Sequence, residues 1–84
     1  MNISERLEVG NILINEFSRL VENLSPNEED LLFVIIKRAN SVKLKMVVCY
    51  EKWDRPPELF GQIERLDCVI KKLEKMQNKH VTGM

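Results

Sequence analysis

Leu32, Ile35, Ala39, Val42, Met46, Cys49 and Trp53 recur at alternating spacings of three and four residues. Three consecutive heptads of this kind line up along one side of a helix. They lie between two breaks, Ser25-Pro26-Asn27-Glu28 and Asp54-Arg55-Pro56-Pro57. The favoured reading is one long helix over about 26–53. A strand reading competes over Val42, Leu44, Met46, Val48 and Tyr50, which alternate with Lys43, Lys45, Val47 and Cys49. Asn40-Ser41 would then end a shorter helix. A single strand needs a partner and the chain offers no second run of that type, but the sequence leaves residues 42–50 open between the two.

The breaks carry start signals. Ser25 suits an N-cap, Pro26 a first helical turn, and Glu28 the return half of a capping box. Glu28, Glu29 and Asp30 place negative charge where a helix dipole favours it, which accounts for that acidic cluster without a metal ion. Pro56-Pro57 cannot continue a helix but can begin one.

Two more stripes flank the central one. Leu7, Gly10, Ile14, Phe17, Val21 and Leu24, widened by Leu13 and Leu20, predict a helix over about 3–24, capped by Asn2 or Ser4. Leu59, Ile63, Leu66, Ile70 and Leu73, widened by Val69 and Met76, predict a third over about 57–77. Lys71, Lys72 and Lys75 complement the dipole near its end, and residues 78–84 are expected to fray. Short connections make neighbours antiparallel. The expected fold is all-α: a three-helix antiparallel bundle over 1–84, with the long second helix at its centre and association through helix faces.

Composition narrows the function classes. The chain has 84 residues, enough for one domain with a thin core, and its 44% apolar content is too high for a disordered chain. Three Gly and three Pro leave too few turns for a many-stranded sandwich or barrel. The longest apolar run, Leu31 to Ile36, is far shorter than a membrane span, and Glu5, Arg6 and Glu8 stand where a signal peptide would be apolar. The expectation is a soluble, cytoplasmic protein. Cys49 and Cys68 have no metal-ligand spacing and read as two buried thiols.

No catalytic, cofactor or metal site is legible. The only histidine, His80, lies in the expected frayed tail, where it cannot be held against a nucleophile. No glycine-rich phosphate loop exists. Ile63-Glu64-Arg65-Leu66-Asp67 followed by Val69-Ile70 resembles the helix motif of the short sporulation-type aspartyl-phosphate phosphatases, which are also small helical proteins. Their motif carries Ser-Gln ahead of Leu-Asp, and Ile63-Glu64 stand there instead, so the activity does not carry over.

The second helix is apolar almost all round, and two flanking helices cannot easily cover it. Phe33, Val34, Leu44 and Val48, off the heptad seam, are therefore expected to contact a second copy or another protein. Tyr50 and Trp53 read first as core at the end of the bundle and, if partly exposed, as anchors beside them. Closed symmetric dimers are the commonest oligomers, so a homodimer leads. The resulting expectation is a non-enzymatic helical interaction module: an adaptor, chaperone or inhibitor. The alternative is a dimeric nucleic-acid-binding regulator, because Arg38, Lys45 and Lys52 repeat every seven residues and form a basic stripe. Zero net charge, with 13 basic and 13 acidic residues, weighs against phosphate binding. No small-molecule substrate is implied.

Overall fold

Helix α1 spans Ile3–Asn23 and opens on Asn2, whose side-chain oxygen accepts the Glu5 backbone N–H at 2.9 Å. That bond satisfies one of the four free N–H groups at the helix start. Helix α2 spans Glu29–Lys52 and α3 spans Pro57–Thr82. The computed structural model describes residues 2–24 and 29–82. The Ser25–Glu28 capping box lies outside the described residues. Among them there is no strand: residues 42–50 are helical, as the unbroken heptads favour. No described helix is long and apolar enough to cross a membrane.

The turn between α2 and α3 is tight. The Arg55 N–H donates to the Tyr50 carbonyl at 2.8 Å, six residues inclusive, in the manner of a Schellman motif. That closure needs left-handed backbone, and Asp54 (φ 61°) and Arg55 (φ 57°) supply it without glycine. Pro57 is then the first residue of α3, where its missing N–H costs nothing. The helix continues through Thr82, five residues past the end expected at about 77. No Gly or Pro occurs between Gly61 and Gly83 to stop it.

The three apolar stripes meet in one core. Ile14 and Phe17 come from α1, Leu32, Ile35, Ala39 and Met46 from α2, and Leu59, Leu66, Val69, Ile70 and Leu73 from α3. The centre of the assembly differs from the expectation. It is α3, not α2, that packs against both other helices, while α1 and α2 scarcely touch. Leu59, Leu66 and Leu73, one heptad apart, are the largest fully buried side chains. Because α1 leans on α3, it leaves the back of α2 uncovered.

One polar residue shares the interior. Gln62 is only 4% exposed. Its Nε2 donates to the Leu7 carbonyl at 2.5 Å and to Asn11 Oδ1 at 3.1 Å, tying α3 to α1. Gly10 makes room for it. A Cβ at that position would overlap Gln62 Oε1 and lie 2.9 Å from Cδ. The glycine inside the α1 stripe is thus the notch that admits a buried amide.

Candidate functional site

The feature with most capacity for chemistry or recognition is the outer face of α2. Phe33, Val34, Leu44 and Val48 are 58%, 48%, 68% and 59% exposed. A buried face of α2 already exists, through Leu32, Ile35, Ala39 and Met46, so these four form a second apolar face. Winding α2 at 100° per residue sets Val34, Lys37, Ser41, Leu44 and Val48 in one exposed line, again at spacings of three and four. Arg38, Lys45 and Lys52 border that line on one side. Phe33, Asn40 and Val47 border it on the other, and all are exposed. A shallow depression lined by Phe33, Val34, Lys37, Arg38 and Ser41 opens at the N-terminal end of this face.

Tyr50 and Trp53 do not join it. Both are half-buried and packed against the core. The Tyr50 ring lies 5.8 Å from that of Phe60, tilted by 41°, where the two helices approach their shared turn. Tyr50 falls at the core-facing angle of α2, and Trp53 closes the helix end.

The thin contact between α1 and α2 leaves a cleft of about 200 Å³ floored by α3. Val9, Leu13, Val42, Met46 and Leu59 line it with Arg6, Lys45 and Gln62. The Arg6 guanidinium donates to Cys49 Sγ at 3.0 Å, a weak acceptor. Gln62 Oε1 is buried with no hydrogen-bond partner among the described residues. It lies against Gly10, and the two acceptors that claim Nε2 fix the amide this way round.

Lys43 sits on the apolar side of α2, and its stem carries the ammonium to the edge of the helix pair. There Lys43 Nζ meets Asp67 Oδ1 of α3 at 2.6 Å, and Lys71 Nζ meets Oδ2 at 3.2 Å. The hydrogen bond from Lys43, then that from Lys71, holds the Asp67 carboxyl below the usual carboxylate range. The hydrogen bond to Asp67 raises Lys71 in turn. Asp67 is the acid of the Leu-Asp pair that resembles the phosphatase motif. Here Leu66 is core and Asp67 clamps α2 to α3.

Cys49 is half-buried, but Cys68 is exposed, contrary to the expectation of two buried thiols. Position 68 falls on the solvent side of α3, between the buried Leu66 and Val69. His80 and Lys79 lie outside the described side chains. Among the described residues no three His, Cys, Asp or Glu side chains gather closely enough to hold a metal ion. The chain matches no protein-family model, no curated protein and no solved structure.

Proposed function

We propose that the chain is a non-enzymatic protein-interaction module, an adaptor, chaperone or inhibitor that docks the outer face of α2 on another protein or on a second copy. The observation that carries this reading is the second apolar face, Phe33, Val34, Leu44 and Val48, exposed on a helix whose first face already serves the core. Helix faces that a small bundle leaves open are a common means of protein recognition. We further propose that successive helices run antiparallel. Tyr50 with Phe60 and Lys43 with Asp67 pair in opposite chain order between α2 and α3, which supports it. Gln62 with Leu7 and Arg65 with Asn11 pair in the same order between α1 and α3, as the first and third members of an alternating bundle would.

The test is the absolute molar mass in solution at micromolar concentration, for the wild type and Val48→Glu. A mass of about twice 9.9 kDa that halves in the variant assigns the face to a second copy. A mass near 9.9 kDa excludes a second copy and leaves a different chain as the occupant to test. The docking reading fails if the wild type is monomeric and Val48→Glu alters neither its binding partners nor its biological effect. The second reading, nucleic-acid binding, draws on Arg38, Lys45 and Lys52, all exposed. It predicts binding that falls steeply with salt and is abolished by Lys45→Glu with Lys52→Glu.

A further inference from the structure

The two borders of the α2 face differ in chemistry. One is a cationic column of Arg38, Lys45 and Lys52; the other is Phe33, Asn40 and Val47, with no charge. Lys37 sits in the line between them. None of these four cations has an acid three or four residues away in the sequence. None takes part in an ion pair among the described residues, whose pairs use Arg19, Lys43, Arg55 and Lys71. Glu51, the one acid at the C-terminal end of the face, is taken by Arg55 at 3.2 Å. The face is therefore apolar with cations along one border and Lys37 in its line, and its described acids, Asp30 and Glu51, stand only at its two ends.

We propose that its occupant is an amphipathic helix of another protein, with apolar residues on Val34, Leu44 and Val48 and a column of Asp or Glu along Arg38, Lys45 and Lys52. The cations repeat every seven residues, about 10.5 Å along the axis, so the partner's acids recur at seven-residue intervals. This rests on the docking reading above and names its partner.

A second copy fits less well. If two α2 helices pair head to tail, like borders meet, and Arg38 and Lys45 face the same two cations of the copy. If they pair head to head, Lys37 falls beside its counterpart and the cationic column lies against an apolar one. Like charges across an interface select against that pairing. A bilayer surface fits less well because Lys37 and Ser41 interrupt the apolar line at its middle. A nucleic acid would satisfy the cations and leave Leu44 and Val48 without a role.

The experiment uses the full chain and two labelled helical peptides of about three heptads. Both carry Leu at alternating three and four spacing; one has Glu along a single border, the other Lys. Binding is read by fluorescence anisotropy at low and moderate salt. The Glu-bordered peptide is expected to bind at least about tenfold more tightly, with the gap narrowing as salt rises. Lys45→Glu with Lys52→Glu is expected to reverse the preference, and Leu44→Glu to remove both affinities. Equal binding of the two peptides overturns the acidic partner and leaves the docking reading standing. Failure of both peptides, with a dimeric mass for the chain alone, assigns the face to a second copy and overturns the inference. Failure of both with binding only to phosphatidylglycerol vesicles or to duplex DNA also overturns it. Failure of every probe by a monomeric chain overturns the inference and the docking reading together.

Discussion

The same substitution, glycine to alanine, is expected to act with opposite sign at two helical positions of this chain. Gly61 lies in the first turns of α3 with open space around it: beyond its chain neighbours and its own helix backbone, no described atom lies within 4 Å of an added Cβ. Gly61→Ala therefore keeps only the propensity gain, about 1 kcal/mol of added stability. Gly10 has the same propensity to gain, but its added Cβ meets the Gln62 amide, 2.9 Å from Cδ. Gln62 is buried and held by Leu7 and Asn11, so it cannot swing aside freely. Overpacking costs about 1–3 kcal/mol, and displacing the amide costs up to about 1 kcal/mol for each of its two hydrogen bonds. Set against the gain of about 1 kcal/mol, the net for Gly10→Ala is a loss of up to about 4 kcal/mol. Urea unfolding followed by circular dichroism measures both. At about 4–8 °C per kcal/mol for a chain of this size, the melting temperatures should move in opposite directions. In a Gln62→Ala background, Gly10→Ala should turn favourable. Equal stabilisation by the two alanines in the wild-type background would refute the notch.

Other consequences are separable. Leu66→Ala, at the centre of the core, is expected to cost about 2–5 kcal/mol by denaturant unfolding, and a cost below 1 would contradict α3 as the central helix. Leu44→Glu and Val48→Glu should leave unfolding midpoints within about 0.5 kcal/mol of wild type, because neither side chain serves the core. Asp67 has a lowered folded pKa, so its contribution is present above the unfolded value near pH 3.9 and is lost as pH falls through the lower folded value. The stability difference between wild type and Asp67→Asn should accordingly be constant near neutral pH and shrink below about pH 4; a difference independent of pH down to 2 would contradict the clamp. Asp54→Gly should stabilise the chain by up to about 1–2 kcal/mol by relieving left-handed backbone, and a loss of stability there would argue against the turn geometry.

Each helix's buried face was legible from spacing alone, because a helix that buries one side must repeat every three or four residues. Ile14 and Phe17, Leu32 through Met46, and Leu59 through Leu73 all fall on those lines. What spacing cannot rank is which helix receives two neighbours. The extent of apolar residues around α2 pointed there, yet α3 takes the centre, and part of its buried surface is the polar Gln62, which an apolar count ignores. Gly10, small and inside an apolar stripe, was the available signal that something approaches closely. Lys43 was legible as a charge on the wrong side of α2, but its partner Asp67 is 24 residues away in sequence, beyond any local rule. The exposure of Phe33, Val34, Leu44 and Val48 follows from the same geometry: α1 rests on α3 and leaves the back of α2 open.

That open face is the premise of the whole account, and hydroxyl-radical footprinting of the isolated chain across a dilution series tests it directly. Phe33 and Leu44 should label rapidly while Leu66 and Leu73 stay protected, and any protection of Phe33 and Leu44 at high concentration should disappear on dilution. Protection of Phe33 and Leu44 equal to that of Leu66 at every concentration would mean that the chain covers its own α2, and would contradict the docking face.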